Sequence, residues 1–145
     1  MDLLLRPLAL AAVATLALND HVLKPWLHHP LTGKLSDVAG CFVLPLFIAA
    51  VLDALGVRSA RARLGVGAGV TLVFFTALKS SPRVAAGVSE VLAAGWRLLG
   101  EHGGSILADP TDLIALPAIA AAWVWGLAQP GASGGAAVTG GAPCA

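Results

Sequence analysis

Between Val38 and Val57 the chain carries a single charge, Asp53. An α-helix needs about 20 predominantly apolar residues to cross the hydrocarbon core of a bilayer, and this run supplies them. Composition points the same way. Hydrophobic residues make up 57% of the 145-residue chain and charged residues 12%, against about 25% charged in soluble domains. The mean hydropathy is +0.83. So few charges leave an ordinary globular surface unsolvated, whereas a bilayer accepts it. Nine prolines and 17 glycines would be heavy for soluble helices but are better tolerated in membrane ones. The expected fold is all-α: an integral membrane four-helix bundle in one domain, residues 1–128, with one additional interfacial amphipathic helix. The net charge of +1 gives no argument for nucleic acid, and the first partner is the lipid bilayer.

The spans fall at about 3–18, 38–57, 64–78 and 109–128. The first is short and interrupted by Arg6 and Pro7. A cleaved signal peptide with a small-residue site at Ala12-Val13-Ala14 is the alternative, against which Asp2 spoils the basic leader. In the third span Gly65 and Gly69 form a GxxxG spacing, the pattern of close helix packing rather than of a nucleotide loop. Residues 84–99 differ: Val84, Val88, Val91, Leu92, Leu98 and Leu99 keep helical spacing, while Ser89, Glu90 and Arg97 fall elsewhere on the wheel. A glutamate facing lipid in mid-span is expensive, so this segment reads as the interfacial helix, with Trp96 near headgroup depth. Trp123 and Trp125 suit an aromatic belt at the end of the last span. The Gly/Ala/Pro-rich tail, 129–145, is expected to be disordered.

Arg58, Arg61 and Arg63 lie in one short loop between two spans, and short basic loops stay in the cytoplasm. With four spans both termini are then cytoplasmic, which Arg6 fits. The opposite surface collects most of the other polar groups. Asn19, Asp20 and His21 end span one, and Lys34, Ser36 and Asp37 begin span two. Lys79, Ser80, Ser81 and Arg83 end span three, and Asp109, Thr111 and Asp112 begin span four. Four helix ends thus bring both signs of charge to one membrane surface. Asp20, His21, Lys34, Asp37, Asp109 and Asp112 are the candidate ligand- or ion-binding residues, on a working surface built from spans one, two and four.

Each motif also has a structural reading. Asp109 suits an N-cap, Pro110 the first helical position and Asp112 the positive helix end. Thr32 or Ser36 would cap span two, with Asp37 in its first turn; Lys34 opposes the helix dipole there and needs a partner in Asp37, Asp109 or Asp112. Asp53 would pair with the arginine loop. Cys41 reads as a small apolar core residue, and no CxxC or Cys/His zinc spacing occurs. Adjacent His28 and His29 point apart on a helix and chelate poorly; His21 with a carboxylate is the better metal candidate. These histidines and His102 lie at span ends, away from the depth that a b-type haem's axial ligands require. The sequence identifies no cofactor and no metal.

Three strings, Asn19-Asp20-His21-Val22-Leu23-Lys24, Thr32-Gly33-Lys34-Leu35-Ser36-Asp37-Val38-Ala39-Gly40 and Asp109-Pro110-Thr111-Asp112-Leu113, resemble a group of small, uncharacterised bacterial multi-span membrane proteins carrying a TGKLSDxAG string. The resemblance covers the first half and the last span. It implies a bacterial inner-membrane location and brings no activity with it.

Three functions remain open. The charged cluster binds or transports an ion or small polar ligand, with helix N-termini at spans two and four helping to hold an anion and the acids favouring a cation. Alternatively, the protein is an accessory subunit packed against a membrane protein partner or a second copy of itself. Alternatively, it is an enzyme acting on a lipid headgroup or isoprenoid phosphate, with His21 or Asp37 as acid/base and Lys34, Lys79 and Arg83 on the phosphate.

Overall fold

A computed structural model describes residues 4–23, 26, 30–98 and 106–129, with the side chains of residues 20, 21, 30, 31, 96 and 98 outside that description. Regular structure among these residues is entirely helical. Helix α1 (Pro7–Leu18) runs on into a π-helical turn (Asn19–Leu23); α2 (Pro30–Ala54), α3 (Ala60–Ser80) and α4 (Pro82–Leu98) follow; a 3-10 turn (Pro110–Ala115) leads into α5 (Pro117–Leu127). Three segments are long and apolar enough to cross a membrane: Thr32–Ala54, Ala60–Ser80 and Pro110–Leu127. Pro7–Leu18 is shorter, roughly 18 Å at the α-helical rise. The N-terminal segment nevertheless runs the height of α2. Leu4 and Leu5 share a groove with Ala54 and Leu55 at one end, and Asn19 hydrogen-bonds Thr32 and Ser36 at the other.

Local chemistry sets the element boundaries. Gly56 takes a φ of 87°, and the amides of Gly56 and Val57 donate to Asp53 O and Leu52 O, a glycine-terminated end for α2. Ser59 caps α3 by accepting from the Ala62 amide. The α3–α4 junction is a single residue: Ser81 precedes Pro82, a position where the α conformation is disfavoured. It is extended, with φ −124° and ψ 111°, and Pro82 then opens α4. In the last span Pro117 lacks the amide that an α-helix would send to Leu113 O. Leu116 N takes that acceptor instead, so the expected continuous helix over 109–128 is a 3-10 turn followed by α5.

Helix α2 begins earlier than its apolar run. It starts at Pro30 rather than near residue 38, so Lys34, Ser36 and Asp37 lie inside the helix. Neither Thr32 nor Ser36 is its cap, and Asp37 is not in its first turn. A polar stretch reads as a loop only if its polar groups face water; here they face neighbouring helices.

Helix α2 is the central element, packed by α1, α3 and α5. One core cluster joins Ala9, Leu46, Ala49, Leu64 and Ala122, and a second joins Cys41, Phe75, Ala115 and Ile119. The expected close approach at Gly65 and Gly69 falls elsewhere. A Cβ on either meets nothing within 4 Å, whereas one on Gly67 would collide with the Pro45 carbonyl oxygen. Pro45 lies inside α2, and α3 packs against its carbonyl at Gly67. Trp125 is half-buried and packs against Phe42, ring centroids 5.8 Å apart; Trp123 is exposed.

At most a third of the most apolar stretch of each long helix is buried inside the molecule. The remainder, including Val73, Ile114 and Val124, forms an apolar outer surface of a kind that soluble monomers rarely expose. Helix α4 packs against α3; Val91 and Leu92 are exposed, and Arg83, Glu90 and Arg97 are grouped on a different side of the helix. Residues 130–145, the expected disordered tail, lie outside the described residues.

Candidate functional site

Four segments meet at one end of the bundle. The C-terminus of α1 supplies Asn19, α2 supplies Lys34, Ser36 and Asp37, α3 supplies Lys79, and the 3-10 turn supplies Thr111 and Asp112. Their charges form an alternating row. Lys34 Nζ donates to Asp112 Oδ1 at 2.9 Å and to Thr111 Oγ1 at 2.7 Å. The other Asp112 oxygen accepts from Lys79 Nζ at 2.7 Å, and Lys79 also donates to Asp37 Oδ2 at 2.8 Å. Along Lys34, Asp112, Lys79 and Asp37 the side-chain exposures are 32%, 12%, 9% and 18%, so the row is wettest at Lys34 and driest at its middle. The Phe75 ring, one turn below Lys79, lies 5.7 Å from Nζ and adds a cation–π contact.

The row is neutral, but its ends are not equivalent to its middle. Asp112 and Lys79 each hold two counter-ions. Lys34 and Asp37 each hold one, and the Asp37 and Asp112 carboxyls, both on Lys79, are also in side-chain hydrogen-bond contact with each other. Asn19, fully buried, donates through Nδ2 to Thr32 O and Ser36 Oγ, both at 2.6 Å. Its Oδ1 is buried without a hydrogen-bond partner among the described residues.

Of the sequence-derived candidates, the structure brings together Lys34, Asp37 and Asp112. Lys34 was expected to find one of three acids, and Asp112 is the one it finds. Asp109 stands apart as a cap: its Oδ1 accepts from the Thr111 amide at 2.9 Å, and that hydrogen bond holds its carboxyl below the usual carboxylate range. Asp20 and His21 lie in the π-helical turn, but their side chains are outside the described residues, as are His28, His29 and His102. Lys79 is the residue that the candidate set omits, and it is the hub. The expected surface of spans one, two and four therefore gains span three. A lone lysine ending an apolar run before Ser-Ser-Pro reads as a solvated helix end, and only the pairing across helices reveals its role.

Lys34 and Lys79 are both engaged by carboxylates, and Arg83 is exposed on α4. Among the described residues no three His, Cys, Asp or Glu side chains come together as a metal site. At the opposite end of the bundle Arg63 pairs with Asp53 and donates to Val57 O, the partnership expected of the arginine loop.

Two ion-pair rungs thus tie α2 to α3, Asp37–Lys79 at one end and Asp53–Arg63 at the other. Neither Val38–Leu52 nor Leu64–Leu78 between them carries a charge, an uncharged length of roughly 24 Å along each helix. No family model, curated protein or solved structure matches the chain.

Proposed function

We propose that the protein is an integral membrane protein that binds a small polar or charged species at the extracytoplasmic end of its bundle, on the row Lys34–Asp112–Lys79–Asp37. The observation that carries this reading is a row of four alternating charges, nearly dry at its middle, gathered from three elements at one end of the bundle. Ion pairs taken out of water contribute little net stability compared with apolar packing of the same volume. Intramembrane ionisable groups mark ligand or ion paths by default. The apolar outer surface and the roughly 24 Å uncharged gap between rungs, near the ~30 Å of a hydrocarbon core, support the membrane reading. The arginine loop supports placing the opposite end in the cytoplasm. Because residues 4–19 run the height of α2, four crossings with both termini cytoplasmic is the topology adopted. Helix α4, with exposed Val91 and Leu92 and, on a different side, Arg83 and Arg97, then lies at the outer interface. The TGKLSDxAG resemblance supports a bacterial inner membrane.

The test is equilibrium dialysis of methylammonium, acetate and inorganic phosphate against the protein in lipid nanodiscs, with empty nanodiscs as reference. At least one should bind, and its affinity should fall at least tenfold in Asp37→Asn or Lys34→Gln while the unfolding midpoint stays within a few degrees. Binding of none of the three, or binding indifferent to both variants, contradicts the reading.

A second reading rests on one observation. Gly65 and Gly69 leave open space on the exposed side of α3, the flat surface on which a further transmembrane helix packs. On that reading the protein is an accessory subunit, or self-associates, and Gly65→Leu should abolish a stoichiometric complex in detergent.

A further inference from the structure

The charged row is closed: two ammonium groups hold two carboxyls, and every member has a partner. An ionic ligand therefore enters only by breaking a pair. Lys34 is the member that water reaches most, its side chain 32% exposed. An anion arriving at Lys34 Nζ takes the place of Asp112 Oδ1. Asp112 then stays on Lys79 through Oδ2, beside Asp37, which holds the same ammonium. The two carboxyls are already in side-chain hydrogen-bond contact. Ionised carboxylates only accept, so that contact becomes a true hydrogen bond when one of the two carries a proton. With a single ammonium left between them at a nearly dry position, two touching carboxyls take up one proton rather than both staying ionised. A cation meets the opposite difficulty. To keep the row neutral it must expel a proton from Lys34 or Lys79, and the ordinary lysine value of about 10.4 lies far above neutrality. An uncompensated charge at a dry position is costly.

We propose that the row binds a small anion together with one proton, the anion on Lys34 Nζ and the proton between Asp37 and Asp112. The proton comes from water and returns to it when the anion leaves, so the row is neutral in both states. The inference rests on the reading of the row as a binding site and names its ligand class. The groups around the carboxyl pair are Lys34 and the Cys41 thiol from α2, Lys79 from α3 and Asp109 from the 3-10 turn. From α1 comes the neutral Asn19, and the turn after it carries Asp20 and His21; Arg83, at the start of α4, is exposed. By ordinary values only the His21 imidazole among these titrates near neutrality, which makes it the control.

The probe is acetate, dialysed against the full chain in nanodiscs between about pH 6 and 8, where by ordinary values acetate stays ionised and lysine protonated. One linked proton predicts an acetate affinity that falls about tenfold for each unit of rising pH. Calorimetry in buffers of different ionisation heat should count about one proton taken up per acetate. Lys34→Gln should weaken acetate at least tenfold at every pH. Asp37→Asn leaves the row one positive charge in excess without any proton uptake. Its acetate affinity should lose the pH dependence and, near pH 8, exceed that of the native chain at least tenfold, a gain that misfolding does not produce. His21→Gln should keep the native slope. If Asp37→Asn does not fold, the proton count on the native chain decides alone. Acetate binding without proton uptake overturns the inference and leaves the row as a site. A slope that survives Asp37→Asn, or disappears in His21→Gln, puts the proton elsewhere and overturns it too. Absence of acetate binding also overturns it: with methylammonium or phosphate bound instead the row remains a site, and with none of the three bound that reading fails as well.

Discussion

At the residue scale the four charges of the row have unequal roles. Asp112 holds two lysines at a nearly dry position, so Asp112→Asn leaves both under-compensated. Removing one partner of a buried pair costs about 3–5 kcal/mol, and an unfolding titration of the detergent-solubilised protein should show a loss of that order. Lys34, a third exposed on its side chain, should cost about 1 kcal/mol or less when changed to Gln. Equal losses in the two variants would mean that the row is uniformly buried. Gly67 allows a second comparison. Its missing Cβ is what lets α3 meet the Pro45 carbonyl, so Gly67→Ala should destabilise by about 1–3 kcal/mol, while Gly69→Ala should be neutral or gain up to about 1 kcal/mol from helix propensity. The reverse order would restore the GxxxG pair as the packing seam. That spacing is visible in the sequence, but which glycine meets the neighbouring helix depends on rotation about the α3 axis, which turns Gly67 toward the Pro45 carbonyl. Lys34, Asp37 and Asp112 were legible as polar groups at span ends. Lys79 is legible as a span-end charge too, but its place at the hub is not, because its partners lie 42 and 33 residues away.

At the scale of elements, prolines decide where helices begin and bend. Pro82 after Ser81, and Pro110 after Asp109, are readable as starts because proline fits a first helical turn. Pro117 is not readable as a break, because membrane helices tolerate proline, yet its missing amide divides the last span. The start of α2 at Pro30 is hidden in the sequence because the polar residues ahead of the apolar run resemble a loop. Asn19 and Asp112, from other elements, satisfy that polarity and let the helix continue upward. Asp109 gives this scale its prediction. Its folded carboxyl is held below the ordinary value of 3.8, so its capping contribution is present above that pH and lost as pH falls through the lower folded value. Asp109→Ala should lower the unfolding midpoint near neutrality, and the difference from the native chain should close in acid below 3.8. A difference that persists unchanged at low pH would mean that the ionised carboxylate is not the cap.

At the scale of the whole molecule, two ion-pair rungs joined by uncharged helix define the proposed orientation. Apolar runs and charge asymmetry are short-range features of the chain, which is why the all-helical class and the long apolar helices were legible. The rungs were only half legible. Asp53 and the arginine loop are close in sequence, while the Lys79 rung needs α3 folded back on α2. The account stands or falls on the rungs lying on opposite sides of a bilayer. In a Cys41→Ala, Cys144→Ala host, Thr111→Cys reports the row end and Arg61→Cys the arginine end, and both native residues are exposed. Intact bacterial cells would be treated with a membrane-impermeant maleimide, with permeabilised cells as control. The account predicts labelling of Thr111→Cys in intact cells and of Arg61→Cys only after permeabilisation. Labelling of both from outside, protection of both, or labelling of Arg61→Cys alone would contradict it.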